Sequence, residues 1–315
     1  MNERELVIVG GGPAGMAAAL SAHKNGVKDI LLLERDQYLG GILNQCIHPG
    51  FGLHYYKTDL TGPEFADRLI KELKATPIEV SLRSFAVKLT GDKIVTYLQP
   101  GKMETVKARA LIMATGCRER TREMIHVAGT RPAGVFPAGL AQKLINIEGL
   151  LPGREVVVIG SGDIGLIMAR RFTLEGAQVK AVIEIEGKTR GLVRNVVQCL
   201  EDFNIPLYFH HRVARIHGRD RVEKVTVENV VTRETFDLAC DTVLVSVGLI
   251  PENELVEMAG VKLDPATNSP VSPAVNLSSI PGLFICGNSY KVYDLVDSVA
   301  RDSEKAGQMA AEYLK

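Results

Sequence analysis

Two glycine-rich turns, each entered from an apolar run and left through a small-residue stretch, constrain this chain more than any other feature. The first is Leu6-Val7-Ile8-Val9 running into Gly10-Gly11-Gly12-Pro13-Ala14-Gly15. The second is Val156-Val157-Val158-Ile159 running into Gly160-Ser161-Gly162-Asp163-Ile164-Gly165. Each reads as strand, tight turn and helix. The first glycine makes the turn, the second lets main chain approach a pyrophosphate, and the third lets the helix pack closely on the strand. The opening N–H groups of the helix then face the phosphates with the positive end of its dipole. After the first turn the pattern predicts a helix from Met16 to Lys24, stopped by Asn25-Gly26, and a strand Ile30 to Leu33 ending in Glu34. After the second it predicts a helix to about Leu174, a stop at Gly176, and a strand Val179 to Ile183 ending in Glu184. An acid at that point is placed to bond a ribose hydroxyl pair. Two such units in one chain imply two dinucleotides.

Glu184 favours NAD(H) over NADP(H) at the second unit, because its charge repels a 2′-phosphate. Arg190 and Arg194 follow shortly and offer that phosphate a counter-charge, so NADP(H) is disfavoured and not excluded. Elsewhere, Leu111-Ile112-Met113-Ala114-Thr115-Gly116 is a strand closing on a glycine. Gly282 to Asn288 reads as a short buried strand with a glycine turn, and a helix follows from about Asp294 to Leu314. Its apolar positions are Val296, Val299, Ala300, Ala306, Met309, Ala310 and Tyr313.

Composition narrows the classes. The 315 residues suit about two domains. With 37 basic and 37 acidic residues the formal charge is zero, without the basic footprint of a nucleic-acid binder. The opening Met1-Asn2-Glu3-Arg4-Glu5 carries both signs of charge and runs into a strand, unlike a signal peptide. The apolar runs Val156 to Ile159 and Val243 to Val247 are far too short to span a bilayer. A cytoplasmic protein with no transmembrane segment is expected.

The five cysteines (Cys46, Cys117, Cys199, Cys240, Cys286) form no C-x-x-C pair, which argues against a disulfide framework or structural zinc. The histidines His54, His126, His210, His211 and His217 show no metal-ligand spacing with them. No metal is expected. Cys46 is the one thiol singled out as a catalytic candidate, with His48 nearby to lower its pKa; the alternative is a buried thiol with His48 bonded to backbone. The run Cys117-Arg118-Glu119-Arg120-Thr121-Arg122 either sets arginines near phosphates or a partner, or is a solvated connector.

The order of these cues resembles the two-dinucleotide-binding flavoproteins, the thioredoxin-reductase-like pyridine nucleotide oxidoreductases, over essentially the whole chain. That resemblance implies an α/β fold of two Rossmann-like three-layer domains, with the NAD domain inserted in the FAD domain. The expected parts are residues 1–117 and 248–315 for FAD and 118–247 for NAD. It implies FAD contacts from Gly10, Gly12, Pro13, Ala14, Gly15, Glu34, Arg35, Gly41, Ile42, Val87, Ala114, Thr115 and Gly116. The return segment contributes Gly248 (of Gly248-Leu249-Ile250-Pro251), Gly287 and Asn288. The N–H groups near Leu295 and Val296 are expected to face the flavin pyrimidine ring. Asn288 stands where the family has aspartate, and still offers a hydrogen bond to a ribityl hydroxyl. For NAD(H) the implied set is Gly160, Gly162, Asp163, Ile164, Gly165 and Glu184.

Thioredoxin reductases carry a C-x-x-C that this chain lacks, and the region Gly40-Gly41-Ile42-Leu43-Asn44-Gln45-Cys46-Ile47-His48 holds one cysteine where dihydrolipoamide-type enzymes have a pair. These stretches, with Leu60-Thr61-Gly62-Pro63-Glu64 and Cys117-Arg118-Glu119-Arg120, resemble the small oxidoreductase subunits associated with anaerobic-type glycerol-3-phosphate dehydrogenase. That branch implies an electron-transfer subunit passing electrons between NADH and a redox partner protein or an external acceptor. A stand-alone NADH oxidase or peroxidase using Cys46, and a disulfide-reductase-like flavoenzyme, remain as alternatives. A homo-oligomer is compatible with each.

Overall fold

The computed structural model describes residues 2–315. The chain forms two compact units, one comprising the residues up to Arg118 together with Ile250–Lys315, the other Glu119–Leu249.

In the first unit, β1 (Asn2–Val9) leads through the glycine turn into α1 (Pro13–Lys24), and β2 (Ile30–Leu33) follows. A long strand, β3 (Lys102–Met113), lies on the other side of β1. The parallel core runs Glu79–Ser81, β2, β1, β3, and then Leu283–Ile285, which pairs with Leu111–Met113. The polar first half of β3 instead pairs antiparallel with Ile94–Gln99, which pairs in turn with Phe85–Leu89. Leu6, Val7 and Ile8 are fully buried, as expected for a strand covered on both faces. Each such side chain contributes about 1.5–3 kcal/mol.

Helix α1 is buried almost all round, with Ala14, Gly15, Met16, Ala17, Ala18, Ala19 and Ala22 inside. Its small side chains admit the last helix, Val296–Leu314, at close range. A Cβ added at Gly307 would lie 2.2 Å from the Ala18 carbonyl oxygen. The structure starts α1 at Pro13, not Met16, because proline fits the first helical position, where its missing N–H has no partner to lose. The last helix starts at Val296, two residues after the expected point.

The second unit repeats the design. Strand β4 (Glu155–Ile159), helix α2 (Asp163–Leu174) and strand β5 (Gln178–Ile183) follow one another. The five-stranded parallel sheet has the order Val135–Pro137, Thr242–Val245, β4, β5, Leu207–Tyr208. A second, four-stranded sheet is built from Ala128–Gly129, His211–Gly218, Val222–Asn229 and Thr235–Ala239. It packs Val213, Ile216, Val225 and Val227 against Val157, Ala181 and Val243 of the parallel sheet. No helix among the described residues is long and apolar enough to cross a membrane.

Candidate dinucleotide sites

The first fingerprint is a place where only glycine fits. Gly10 has φ +113°, and a Cβ there would lie 2.3 Å from the Ala114 carbonyl oxygen; one on Gly15 would lie 1.8 Å from that of Gly10. Gly12 is different. Its nearest neighbour outside the local chain is the Gly41 Cα, 4.0 Å from an added Cβ, and no side chain caps the helix it opens. Gly40 donates its N–H to the Gly11 carbonyl at 2.9 Å, which draws the Gly40-Gly41 pair alongside Gly11-Gly12. The result is a cradle walled by main chain at the positive end of a helix dipole. Ile42, the second residue of a short 3₁₀ turn (Gly41–Gln45) beside it, is 58% exposed.

Glu34 closes the end of β2. It is buried, and its carboxylate accepts from the Gly11 N–H at 2.6 Å and the Asp36 N–H at 2.8 Å. Arg35 reaches Glu252 at 3.6 Å. Around the same strand end, Ser84 donates its N–H to the Glu34 carbonyl and Arg83 to that of Asp36. In that segment the main chain of Ser81 and Ser84 meets Glu34, Ser81 accepting from the Glu34 N–H. Val87, the expected contact, lies beyond them at a bulge in the antiparallel pairing, between Ala86 and Lys88.

The later cues converge on the same place. The Ala114 N–H donates to the Val9 carbonyl, the Thr115 hydroxyl to the Glu252 carbonyl at 2.6 Å, and Gly116 has φ +75°. Gly287 has φ +66°, and a Cβ on it would lie 2.6 Å from the Ala14 Cβ, so its turn abuts the opening of α1. Asn288 donates its amide to the Cys117 sulfur at 3.4 Å and accepts from the Tyr293 N–H at 3.1 Å. Leu295 is the N-cap of the last helix, with no side-chain cap, and Val296 opens it.

One residue of that first turn escaped sequence reasoning. Asp297 is buried, and its carboxylate accepts from the N–H groups of Gly52, His54 and Tyr55 at 3.1, 2.8 and 2.7 Å. Its only signal is a charge set inside the apolar stripe of Val296, Val299 and Ala300.

The second unit reproduces the first fingerprint with an offset of 150 residues. Gly160 has φ +96° and would meet the Ser246 carbonyl oxygen at 2.1 Å; Gly165 would meet that of Gly160 at 2.6 Å; at Gly162 an added Cβ meets nothing within 4 Å. Glu184 accepts from the Ser161 N–H at 2.9 Å, the Ser161 hydroxyl at 2.5 Å and the Glu186 N–H at 3.0 Å. Asp163 holds Leu192 N–H and the Asn195 amide at 2.7 Å each, and Ile164 packs on the core beneath. In the same unit Gly248, with φ +109°, accepts from the Arg120 N–H. Both cradles leave open the position where a Cβ would meet a pyrophosphate, so the residues fit two dinucleotides.

Cys46 is half-buried and held by main chain. Its S–H donates to the Ile42 carbonyl at 3.3 Å, its carbonyl accepts from the Gly62 N–H, and burial pushes its pKa up to about 12. That desolvation works against the lowering expected from His48. His48 bonds the Pro49 carbonyl at 3.1 Å and rests on Phe51. At pH 8 the thiolate fraction is then roughly 10³-fold below that of an ordinary cysteine. Iodoacetamide labelling of Cys46 in the folded protein should be slower by a comparable factor; labelling at the rate of the unfolded chain would contradict it. Burial also raises Cys240 and Cys286 to about 12 and Cys199 to about 11. Neutral buried thiols stabilise the fold below the ordinary value near 8.5; that contribution is lost as pH rises through 11–12.

The charged run after Gly116 is only partly a solvated connector. Arg118 pairs with Glu254 at 2.6 Å, and buried Arg122 bonds the Thr130 carbonyl. Glu119 caps the helix Ala138–Asn146 by accepting from the Gly139 and Leu140 N–H groups, and burial raises its pKa. No cluster of three or more His, Cys, Asp or Glu able to hold a metal occurs among the described residues.

The sequence is 25% identical over 267 residues to a 34.2 kDa protein in the rubredoxin operon of Clostridium pasteurianum, covering 81% of this chain and 79% of that one. It is 26% identical to hydrogen cyanide synthase subunit HcnB of Pseudomonas protegens, covering 81% of this chain and 59% of that relative. The fold matches thioredoxin reductase from T. acidophilum with a TM-score of 0.81 at 22% identity, covering 99% of each chain. With residues 4–303 matching its description, the chain belongs to the pyridine nucleotide-disulphide oxidoreductase family and is an FAD-dependent oxidoreductase that works with NAD(P)H.

Proposed function

We propose that this chain takes electrons from NADH and passes them to a partner protein or an external acceptor, as the electron-transfer subunit of a dehydrogenase complex. The observation that carries the reading is the pair of intact cradles in one chain, each closed by a buried acid, without a C-x-x-C to receive the electrons. Gly12, Gly41 and the opening of α1 would hold the FAD pyrophosphate, Glu34 would bond the ribose, and Asn288 would offer a hydrogen bond to the ribityl chain. Gly162 and the opening of α2 would hold NADH. Bound flavin and nicotinamide supply the two-electron chemistry, and the chain supplies position and electrostatics. The stretches around Gly40 to His48 and Ala114 to Arg120 support a place beside the small subunits associated with anaerobic-type glycerol-3-phosphate dehydrogenase. The relative named as a subunit of hydrogen cyanide synthase is in keeping with a partner. The peroxidase alternative is disfavoured by the burial of Cys46.

Anaerobic titration with NADH and NADPH separately tests this. NADH is expected to bleach the flavin fully at about one equivalent, with slow reoxidation until an acceptor is added, and a Cys46→Ser variant is expected to bleach equally. A flavin left oxidised by NADH would overturn the reading.

A further inference from the structure

The antiparallel sheet at the edge of the first unit, built from Phe85–Leu89, Ile94–Gln99 and the first half of β3, has two unlike faces. Leu89, Val95 and Val106 lie side by side on one face and are buried. Phe85, Leu98 and Met103 lie side by side on the other, and they are 50, 42 and 67% exposed. Exposed apolar side chains are ordinary when scattered, but three in register across three strands make a contiguous patch. The row stands beside the turn at Pro100-Gly101, where both residues are exposed and a Cβ added to Gly101 meets nothing within 4 Å. That hairpin end projects from the unit. The next row on the same face is Lys88, Thr96 and Thr105, with Lys88 exposed. Charge is concentrated in the same segment. From Leu82 to Arg109 the basic residues are Arg83, Lys88, Lys93, Lys102, Lys107 and Arg109, against Asp92 and Glu104, in a chain of zero formal charge. Glu104 is taken up by Lys102 at 2.8 Å, Arg109 lies 3.8 Å from Glu5, and Lys107 has Glu3 opposite it on β1. Arg83, two residues before Phe85, is exposed and bonds the neutral Gln37 amide at 3.4 Å. The cations nearest the apolar row are thus the ones left to meet an external anion.

We infer that this face docks the protein on an anionic lipid surface, with Leu98 and Met103 entering the headgroup region and Arg83 and Lys88 meeting lipid phosphates and carboxylates. A lipid surface answers both features at once. Apolar side chains pass into the acyl boundary, and each nearby cation gains about 1 kcal/mol, or roughly fivefold in partition, from an anionic leaflet. The hairpin also enters with its main chain already paired, Leu98 with Met103 and Gln99 with Lys102, so little backbone is stripped of water without a partner. A second copy fits less well, because it would set Arg83 and Lys88 against like charges. The inference does not depend on which electron acceptor the protein serves.

The test is sedimentation of the flavin-loaded protein with vesicles of phosphatidylcholine alone and of phosphatidylcholine mixed with phosphatidylserine. The mixed vesicles are expected to carry the protein down, the neutral ones about tenfold less, and the difference should shrink at about 0.5 M salt. Met103→Ser should lower partition into the mixed vesicles about fivefold, and Lys88→Glu about 10- to 30-fold. Both side chains are exposed, so flavin absorbance and melting should stay as in the wild type. Lys143→Glu, an exposed site in the second unit, changes the net charge equally and should leave partition unmoved. Equal sedimentation with both vesicles, or an equal loss in Lys143→Glu, overturns the inference. Protein left in the supernatant with both vesicles overturns it too, whether the face then proves to take an acidic protein or a second copy.

Discussion

Replacing Gly162 with alanine is expected to leave the protein folded and yellow and to weaken NADH binding about a hundredfold or more. The reason is the difference between this glycine and its neighbours. Gly160 and Gly165 are held by their own backbone, since any Cβ there would enter a carbonyl oxygen at 2.1 or 2.6 Å. Gly162 has φ −70° and ψ 163°, ordinary for any residue, and nothing within 4 Å of the Cβ it lacks. Folding alone therefore gives no reason for a glycine there; a phosphate drawn against the main chain does. As an N-cap, alanine costs at most ~1 kcal/mol against glycine. A methyl group that displaces a pyrophosphate forfeits charged hydrogen bonds worth roughly 1.5–3 kcal/mol each, and two of them make about a hundredfold or more. Stopped-flow bleaching under nitrogen reads the binding and thermal melting reads the fold. A Gly162→Ala protein that bleaches at wild-type NADH concentrations would remove the second cradle from the chemistry. Gly165→Ala is the control, failing in the melt instead.

The two cradles were legible because their causes are local. A positive φ at Gly10 or Gly160, a helix start without a side-chain cap, and an acid at a strand end each leave their mark within about 25 residues. The α/β class followed from the same strand–turn–helix order. What stayed hidden depends on partners far along the chain. Only the apolar end of β3 was recognised, because its first half, Lys102 to Lys107, is polar and gains its strand from a hairpin on the edge. Glu119 looked like one member of a solvated run, yet it caps a helix that begins nineteen residues later. Glu184 sits where the pattern puts it, but nothing in the pattern showed that Ser161 and Glu186 would occupy its oxygens. Ser161 stands where the first fingerprint has Gly11, and its hydroxyl gives the second acid one donor more than the first. Val87 lies at a bulge, three residues past Ser84, whose N–H meets the Glu34 carbonyl.

Asp297 is the hidden residue with the largest consequence. Alanine in its place is expected to lower the stability of the first unit by about 3 kcal/mol or more, since three main-chain donors lose a charged acceptor at once. For a unit of this size that is a fall in melting temperature of roughly 6–12 °C. Its three partners, Gly52, His54 and Tyr55, lie more than 240 residues away in sequence, so the carboxylate closes a very long loop. The same face of the last helix continues the clamp, with Arg301 donating to the His54 carbonyl and Glu304 accepting from the Tyr55 hydroxyl. Positions 297, 301 and 304 recur at helical spacing, and only the first is a buried charge. Arg301 and Glu304 should thus hold the segment loosely once Asp297 is gone. Hydrogen exchange should then show the amides of Gly52, His54 and Tyr55 losing protection together, ahead of those in β1. Asp297→Asn, which keeps one acceptor oxygen, should fall between wild type and alanine in both measurements. An alanine variant that melts within a degree of wild type, with those three amides still protected, would mean that the carboxylate merely fills a gap left by the loop and does not fasten it.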